Sequence, residues 1–341
     1  MYMSEPRIAF ITGITGQDGS YLAELLLGRG YIVHGLARDP QSESASRLRR
    51  SAGEAAERLR LHLGDLSDGE ALAALVLRLT PREIYNLGAQ SHVRRSFDEA
   101  VGTLEVNALG VMHLLEAARR LRDDGRDVRF FQAASSEIYG VHPPGPCSED
   151  TPFQPRSPYG CAKVCAFHLV ETYRQAFGLF ACNGILFNHE SPRRGESFVT
   201  RKITRAATRI AEGLQDVLEL GNIDVARDWG YAPEYVEAIW LMLQPETAED
   251  FVVATGRSYT LREFLEIAFG YVGLDWRKHV RIVSGLKRPR DVSCVVGNPA
   301  RIRERLGWQS SVSFEQLVRM MVDVDSQLAK RERAMLSRPA A

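Results

Sequence analysis

No CxxC pair, no apolar run long enough to span a bilayer and no excess of either charge sign occur in this chain of 341 residues. Each absence removes a class of function. The 43 basic and 43 acidic residues cancel, so neither nucleic acid nor a membrane surface is an expected partner. The five cysteines (Cys147, Cys161, Cys165, Cys182 and Cys294) are odd in number. Reduced thiols are therefore expected, rather than a disulfide frame or a zinc site, and no metal is called for. The first strand begins within a few residues of Met1, which leaves no expected signal peptide and points to a soluble, cytoplasmic protein. The chain also lacks an internal repeat and any low-complexity tract. Its length suits one large α/β domain and a smaller one.

What is present begins with a glycine-spaced turn. The apolar run from Ile8 to Ile11 leads into Thr12-Gly13-Ile14-Thr15-Gly16-Gln17-Asp18-Gly19, and helical periodicity follows from Ser20 to Leu27. Strand, turn and helix in that order form a nucleotide-binding context. Gly13 permits the tight turn, Gly16 lets the backbone approach a pyrophosphate, and Gly19 lets the helix sit close on the sheet. Gly13, Thr15, Gly16, Gln17, Asp18 and Gly19 are the candidate cofactor contacts of this turn, whose spacing is GxxGxxG. The next strand, Tyr31 to Leu36, is followed by Ala37, Arg38 and Asp39. An acidic residue there suits the ribose of NAD and an arginine suits the 2′-phosphate of NADP. Arg38 comes first, so the expected cofactor is NADP rather than NAD; the plain alternative is a solvated Arg–Asp pair.

Strand and helix signals then alternate: Leu59 to Leu63, a helix from Asp68 to Leu79, a strand from Glu83 to Leu87, an amphipathic helix from Val106 to Leu121, and a strand from Val128 to Ala134. That alternation predicts an α/β fold, a doubly wound parallel sheet of Rossmann type. The texture changes near residue 186, where Gly, Pro, Arg and Asn crowd together. Strand signals return at Val217 to Leu220 and Phe251 to Ala254, so the chain is expected to pass back and forth between two lobes. The tail after Gln327 reads as a solvated helix end fraying into disorder.

The chemistry-bearing set is Ser135, Glu137, Tyr159 and Lys163. Ser135 and Glu137 follow a strand, at the carboxyl end where open parallel sheets place ligands. Tyr159 and Lys163 stand four apart at the head of a helix predicted over Ala162 to Tyr173, so they share a face. A lysine ammonium beside a phenol favours the phenolate. Such a tyrosine can take a proton from a substrate hydroxyl while a hydride leaves the same carbon for nicotinamide.

The order of GxxGxxG, strand-end serine and YxxxK resembles the extended short-chain dehydrogenase/reductases. Three longer segments, Ile11 to Leu22, Phe153 to Tyr159 and Cys182 to Gly195, resemble the GDP-mannose 4,6-dehydratases among them, and Phe198 to Thr204 and Arg227 to Gly230 continue the likeness. The resemblance implies residues 1–185 as the NADP-binding Rossmann domain, with a return strand near 250–256. It implies 186–341 mainly as a smaller mixed α/β domain for a nucleotide sugar. It further implies that Tyr159 removes the 4-hydroxyl proton with Lys163 in support, that Tyr159 and Lys163 also contact the cofactor, Lys163 at the nicotinamide ribose, and that Glu137 removes the C5 proton and passes it to the departing 6-hydroxyl. The product would be GDP-4-keto-6-deoxymannose. Asp65 and Leu66 would meet the adenine, the Leu87, Ala89 and Ser91 segment would line the cofactor, and His189 and Arg194 would reach it from the other domain. Asn188, Lys202, Arg227 and Arg288 would hold the GDP. The family also implies a homo-oligomer, dimer or tetramer.

Four departures accompany the match: Ser135 in place of threonine, Asp39 in place of a second arginine, Cys161 in place of a small aliphatic residue, and an Arg288-Pro289-Arg290-Asp291-Val292 segment. Core packing is the expected role of Cys161. Arg193 and Arg205, taken alone, read as surface charges. The departures leave room for a longer GDP-linked sugar, a heptose or octose, and for a 4-epimerase, which would conserve substrate mass. A cofactor-binding scaffold without catalysis is the remaining alternative, and the intact set of four argues against it.

Overall fold

The computed structural model describes residues 7–141, 145–286 and 294–336. Its strands are β1 (Ile8–Thr12), β2 (Ile32–Ala37), β3 (Leu59–Leu63), β4 (Glu83–Asn86), β5 (Arg129–Ser135), β6 (Phe180–Leu186), β7 (Asn188–Glu190), β8 (Leu218–Leu220), β9 (Ala226–Tyr231), β10 (Phe251–Val253), β11 (Ser258–Thr260), β12 (Val280–Ile282) and β13 (Cys294–Val295). Helices α1 (Gln17–Gly28), α2 (Glu43–Ala52), α3 (Gly69–Leu79), α4 (Arg95–Asp98), α5 (Ala100–Leu104), α6 (Gly110–Asp123) and α7 (Pro158–Phe177) belong to the first half. They are followed by α8 (Val199–Ala211), α9 (Ala232–Leu241), α10 (Leu261–Tyr271), α11 (Ala300–Leu306) and α12 (Phe314–Leu336). None of the described helices is long and apolar enough to cross a membrane.

The chain divides into two compact units. One holds the described residues of Met1–Leu186, Ala232–Val253 and Asn298–Gln309; the other holds those of Phe187–Tyr231, Ala254–Gly297 and Ser310–Ala341. The chain thus returns twice to the first unit after residue 186, bringing α9, β10 and α11 with it.

The first unit is a seven-stranded parallel sheet in the order β10-β6-β5-β4-β1-β2-β3. Its inner strands β1, β4, β5 and β6 are largely buried without alternation because helices cover both faces. Leu22, Leu26, Tyr235, Ile239 and Trp308 pack one face, and Leu72, Val76, Leu114, Phe130 and Val170 the other. The order reverses between β1 and β4, so ligand space opens beyond their carboxyl ends.

The expected helix over 106–121 is interrupted. Residues 105–109 form a π-helical turn between α5 and α6. Such bulges mark places where a helix must adjust to its surroundings. Asn107, in this turn, accepts from Gln90 N at 2.8 Å and returns a bond to Gln90 O at 3.0 Å, fixing the loop after β4. Helix α7 starts earlier than predicted, because Ser157 caps it by accepting from Gly160 N at 3.0 Å and Pro158 occupies the first turn.

In the second unit β9 pairs with β7, β11 and β13, and β8 pairs with β12. Its core gathers Ile203, Leu220, Trp229, Phe264, Phe269, Phe314 and Met321. Asp325, fully buried on α12, receives a bidentate ion pair from Arg201 of α8, with N–O distances of 2.7–2.9 Å, and a hydroxyl bond from Thr204 at 2.6 Å. Removing one partner of such a pair costs about 3–5 kcal/mol. The tail does not fray at Gln327: α12 continues to Leu336, and Glu332 binds both Arg205 and Arg209. Arg205 is accordingly 7% exposed rather than a surface charge.

Candidate active site

The glycine turn is built as its spacing requires. Gly13 has φ 66°, and a Cβ there would lie 2.8 Å from Gly88 Cα. A Cβ on Gly19 would lie 2.3 Å from Gly13 O, so this glycine lets α1 rest on the turn. Gly16 is the N-cap of α1 and has no side chain to cap it, so no side-chain hydrogen bond caps the first turn. A helix N-terminus opened by glycine, with its dipole facing the turn, suits an anionic pyrophosphate. Donor chemistry and turn shape therefore fit a dinucleotide.

At the ends of the neighbouring strands, Arg38 and Asp39 are exposed after β2. Asp39 turns its carboxylate onto its own loop, accepting from Gln41 N at 2.8 Å. Asp65 follows β3 and accepts from Ser67 N at 2.9 Å and from its hydroxyl at 2.8 Å. The Ser67 backbone N–H, with its hydroxyl and Arg38 adding, holds the Asp65 carboxyl below the usual range. Leu66 is buried beneath Gly88 and Gly110. Leu87 and Ala89 are half-buried in the loop after β4, and Ser91 is exposed.

The four chemistry-bearing residues lie together in the first unit. Ser135 ends β5, and its Oγ accepts from Glu137 N at 3.3 Å, starting a short helical turn over Ser136–Ile138. Glu137 is half-buried. A Cβ on Gly160 would meet Glu137 O at 2.8 Å, so glycine at this position lets the head of α7 close on the Glu137 turn. Tyr159 is 8% exposed and Lys163 3%. Lys163 Nζ lies 5.8 Å from the centre of the Tyr159 ring and donates to Ala133 O at 2.8 Å. Burial pushes the Lys163 ammonium down to about 8. The group remains largely charged at neutral pH. Cys161 points away from this cluster and is exposed, so the expected packing role does not hold. One turn on, Cys165 is exposed as well.

In the second unit, His189 is buried on β7 with Nδ1 2.7 Å from Phe187 O. Facing a carbonyl, that nitrogen carries the proton. Arg194 stacks over Phe198 at 3.8 Å, its Nε 3.1 Å from Glu190. Asn188 starts β7 and pairs in register with Trp229, two residues beyond Arg227 on β9. Arg227 and Lys202 are half-buried; Lys202 Nζ donates to Glu219 O at 2.7 Å. Arg288 lies outside the described residues.

Sequence reasoning missed Gly160, whose spacing from Tyr159 carries no motif. It also missed Asp228, fully buried beside Arg227. Asp228 accepts from Thr255 N and Gly256 N at 2.9 Å, from Thr255 Oγ1 at 2.6 Å and from Gly297 N at 3.3 Å, fastening the loops on either side of β9.

A family model described as GDP-mannose 4,6 dehydratase matches residues 10–321. The chain belongs to the GDP-mannose 4,6-dehydratase family. Among the family's members, GDP-mannose 4,6 dehydratase 1 of Arabidopsis thaliana is 53% identical over 336 residues, spanning 96% of this chain and 92% of the plant protein. Two solved structures resemble the fold closely. DesIV, a dTDP-glucose 4,6-dehydratase from Streptomyces venezuelae with NAD bound, superposes with a TM-score of 0.82 at 26% identity, covering 96% of this chain and 98% of its own. RMD from Pseudomonas aeruginosa, complexed with NADPH, gives a TM-score of 0.75 at 25% identity, covering 94% and 99%. This dehydratase therefore has relatives solved with either nicotinamide cofactor.

Proposed function

We propose that this chain is an NADP-dependent lyase that converts GDP-mannose to GDP-4-keto-6-deoxymannose. The carrying observation is the assembly of Glu137, Tyr159 and Lys163 at the carboxyl end of β5, a base beyond the Tyr–Lys pair that a simple 4-epimerase does not need. Tyr159 takes the proton of the sugar 4-hydroxyl. Lys163, buried and charged, favours the phenolate form of that tyrosine. Glu137 then removes the C5 proton, acidified by the ketone at C4, and returns it to the 6-hydroxyl, which leaves as water. A nicotinamide cofactor held at the glycine turn would supply hydride transfer, from C4 and back to C6, with no net redox change; C5 then takes up a solvent-exchanged proton and Tyr159 releases the proton it took. Gly13, Thr15, Gly16, Gln17, Asp18 and Gly19 would hold the cofactor's pyrophosphate side, and Asp65, Leu66, Leu87, Ala89, Ser91, His189 and Arg194 the remainder. Asn188, Lys202 and Arg227 would hold the GDP.

The choice of NADP rests on Arg38. With the Asp39 carboxylate engaged by Gln41 N, the exposed guanidinium is the group left to meet a 2′-phosphate. Arg38→Ser should raise the Kd for NADP by about tenfold, the scale of one charge-assisted pair, while leaving NAD nearly unaffected. Equal affinity losses for both cofactors, read by titration calorimetry, would reject this choice. A homo-oligomer is supported by the apolar side chains left exposed along α4 to α6: Phe97, Val101, Leu104, Leu109 and Met112.

The deciding experiment incubates GDP-mannose with the protein and catalytic NADP in deuterium oxide. Loss of one water with gain of one carbon-bound deuterium is expected. Unchanged mass would reject dehydration of GDP-mannose and direct the search to longer GDP-linked sugars or to C4 epimerisation.

A further inference from the structure

The Lys163 ammonium makes one hydrogen bond among the described residues, to Ala133 O at 2.8 Å. For a cation 3% exposed, that carbonyl is the acceptor that anchors its charged end, with the Tyr159 ring 5.8 Å away. β4 ends at Asn86, paired with Gln132, so Ala133 lies one residue past the end of that ladder. A second donor shares the carbonyl: Gln132 Nε2, at 3.0 Å.

Gln132 is not placed by apolar packing alone. Thr12, Asn86 and Gln132 are register partners on β1, β4 and β5, and each is at most 1% exposed. Gly88 N donates to Thr12 Oγ1 at 2.9 Å, Thr12 Oγ1 donates to Asn86 Oδ1 at 2.5 Å, and Asn86 Nδ2 donates to Gln132 Oε1 at 2.8 Å. The direction of this chain is forced. The Ala133 carbonyl can only accept, so Gln132 presents nitrogen to it and oxygen to Asn86; Asn86 then presents nitrogen to Gln132 and oxygen to Thr12, whose hydroxyl must donate while it accepts from the Gly88 amide. Three polar side chains buried in a sheet core are costly unless all are satisfied. Here they form a one-way chain from the loop against the glycine turn to the carbonyl that holds the lysine.

The geometry points to Gln132 as a positioning residue for the acid–base step, fixing the Ala133 carbonyl and through it the Lys163 ammonium beside Tyr159. This rests on the reading of Tyr159 and Lys163 as the proton-transfer pair. Without the Gln132 amide, Ala133 stays paired with Gly184 on β6 but its carbonyl loses the second donor that aims it, and an ammonium displaced from the phenol stabilises the phenolate less. The consequence is a change in proton transfer, with little in substrate binding.

The test is Gln132→Met, which keeps length and approximate volume but cannot donate. Loss of one oriented hydrogen bond predicts a fall in kcat of about tenfold and a rise of about half a pH unit to one unit in the acid limb of kcat, with KM for GDP-mannose changed by less than about twofold. Asn86→Leu, which cuts the chain one strand away and touches neither Lys163 nor Ala133 in the hydrogen-bond pattern, should move the acid limb in the same direction; it also serves if Gln132→Met does not fold. Phenolate absorbance, taken as the difference between each protein and its Tyr159→Phe counterpart, follows the same ionisation without turnover. It separates failure of this proposal from a wrong choice of sugar. An acid limb and a phenolate titration both unmoved in the folded variants, whatever the loss in kcat or thermal stability, would reduce Gln132 to packing and overturn the assignment.

Discussion

Tyr159→Phe is expected to lower kcat by about a hundred- to ten-thousandfold, the range carried by a positioned acid–base group. The block should fall on the first chemical step. In a single turnover with substrate and excess enzyme, no reduced nicotinamide should appear by its near-ultraviolet absorbance, and no deuterium should enter the sugar. The fold should survive, because Tyr159 stands in the first turn of α7, where the Ser157 cap and Pro158 secure the backbone independently of the ring hydroxyl. The ring itself is retained by phenylalanine. Lys163 would keep its bond to Ala133 O and stay charged at neutral pH, since burial brings it down only to about 8. The variant therefore isolates the phenolic oxygen. Reduced cofactor accumulating at the parent rate would remove Tyr159 from the oxidation.

The parts of the molecule legible in the sequence share a physical origin. β1, the glycine turn and α1 could be read because an apolar strand, a positive-φ position and a helical stripe occur within about twenty consecutive residues, and local sterics decide all three. Tyr159 and Lys163 could be read because helix periodicity fixes their common face. What escaped depends on pairing across the chain. The strands β7 and β11 are three residues each, too short for alternation to show, and exist because β9 offers them an edge. Arg205 looked like a surface charge since its partners Glu196 and Glu332 lie on separate segments. The same pairing gives Glu332 a role that a polar tail in isolation does not reveal. Cys161 was misplaced for a different reason: with Tyr159 and Lys163 both turned inward, its place between them on α7 falls on the opposite, solvent side. The Thr12–Asn86–Gln132 chain was invisible for the deepest reason, because it follows from the register of three parallel strands, which no local pattern encodes.

Glu137→Gln separates the two halves of the proposed reaction. Glutamine has nearly the shape of glutamate, and the backbone at this position is held by the Ser135 Oγ bond to residue 137 N and by Gly160 against the carbonyl of the same turn. The side chain should therefore stay in place while losing its ability to take a proton. Oxidation at C4 needs Tyr159 and Lys163 alone, so a single turnover should still produce reduced nicotinamide. Elimination should stall, with overall kcat down by about a hundred- to ten-thousandfold and reduced cofactor persisting with the 4-keto sugar. In deuterium oxide the stalled sugar should keep its original C5 hydrogen. The contrast with Tyr159→Phe is the informative one: one variant never reduces the cofactor, and the other reduces it and cannot give the hydride back. Full dehydration by Glu137→Gln would show that another group serves C5, and an absence of reduced cofactor would show that Glu137 acts before elimination. Either result would detach the dehydratase outcome from the residue that distinguishes it from epimerisation, because the Tyr–Lys pair alone serves both reactions equally well.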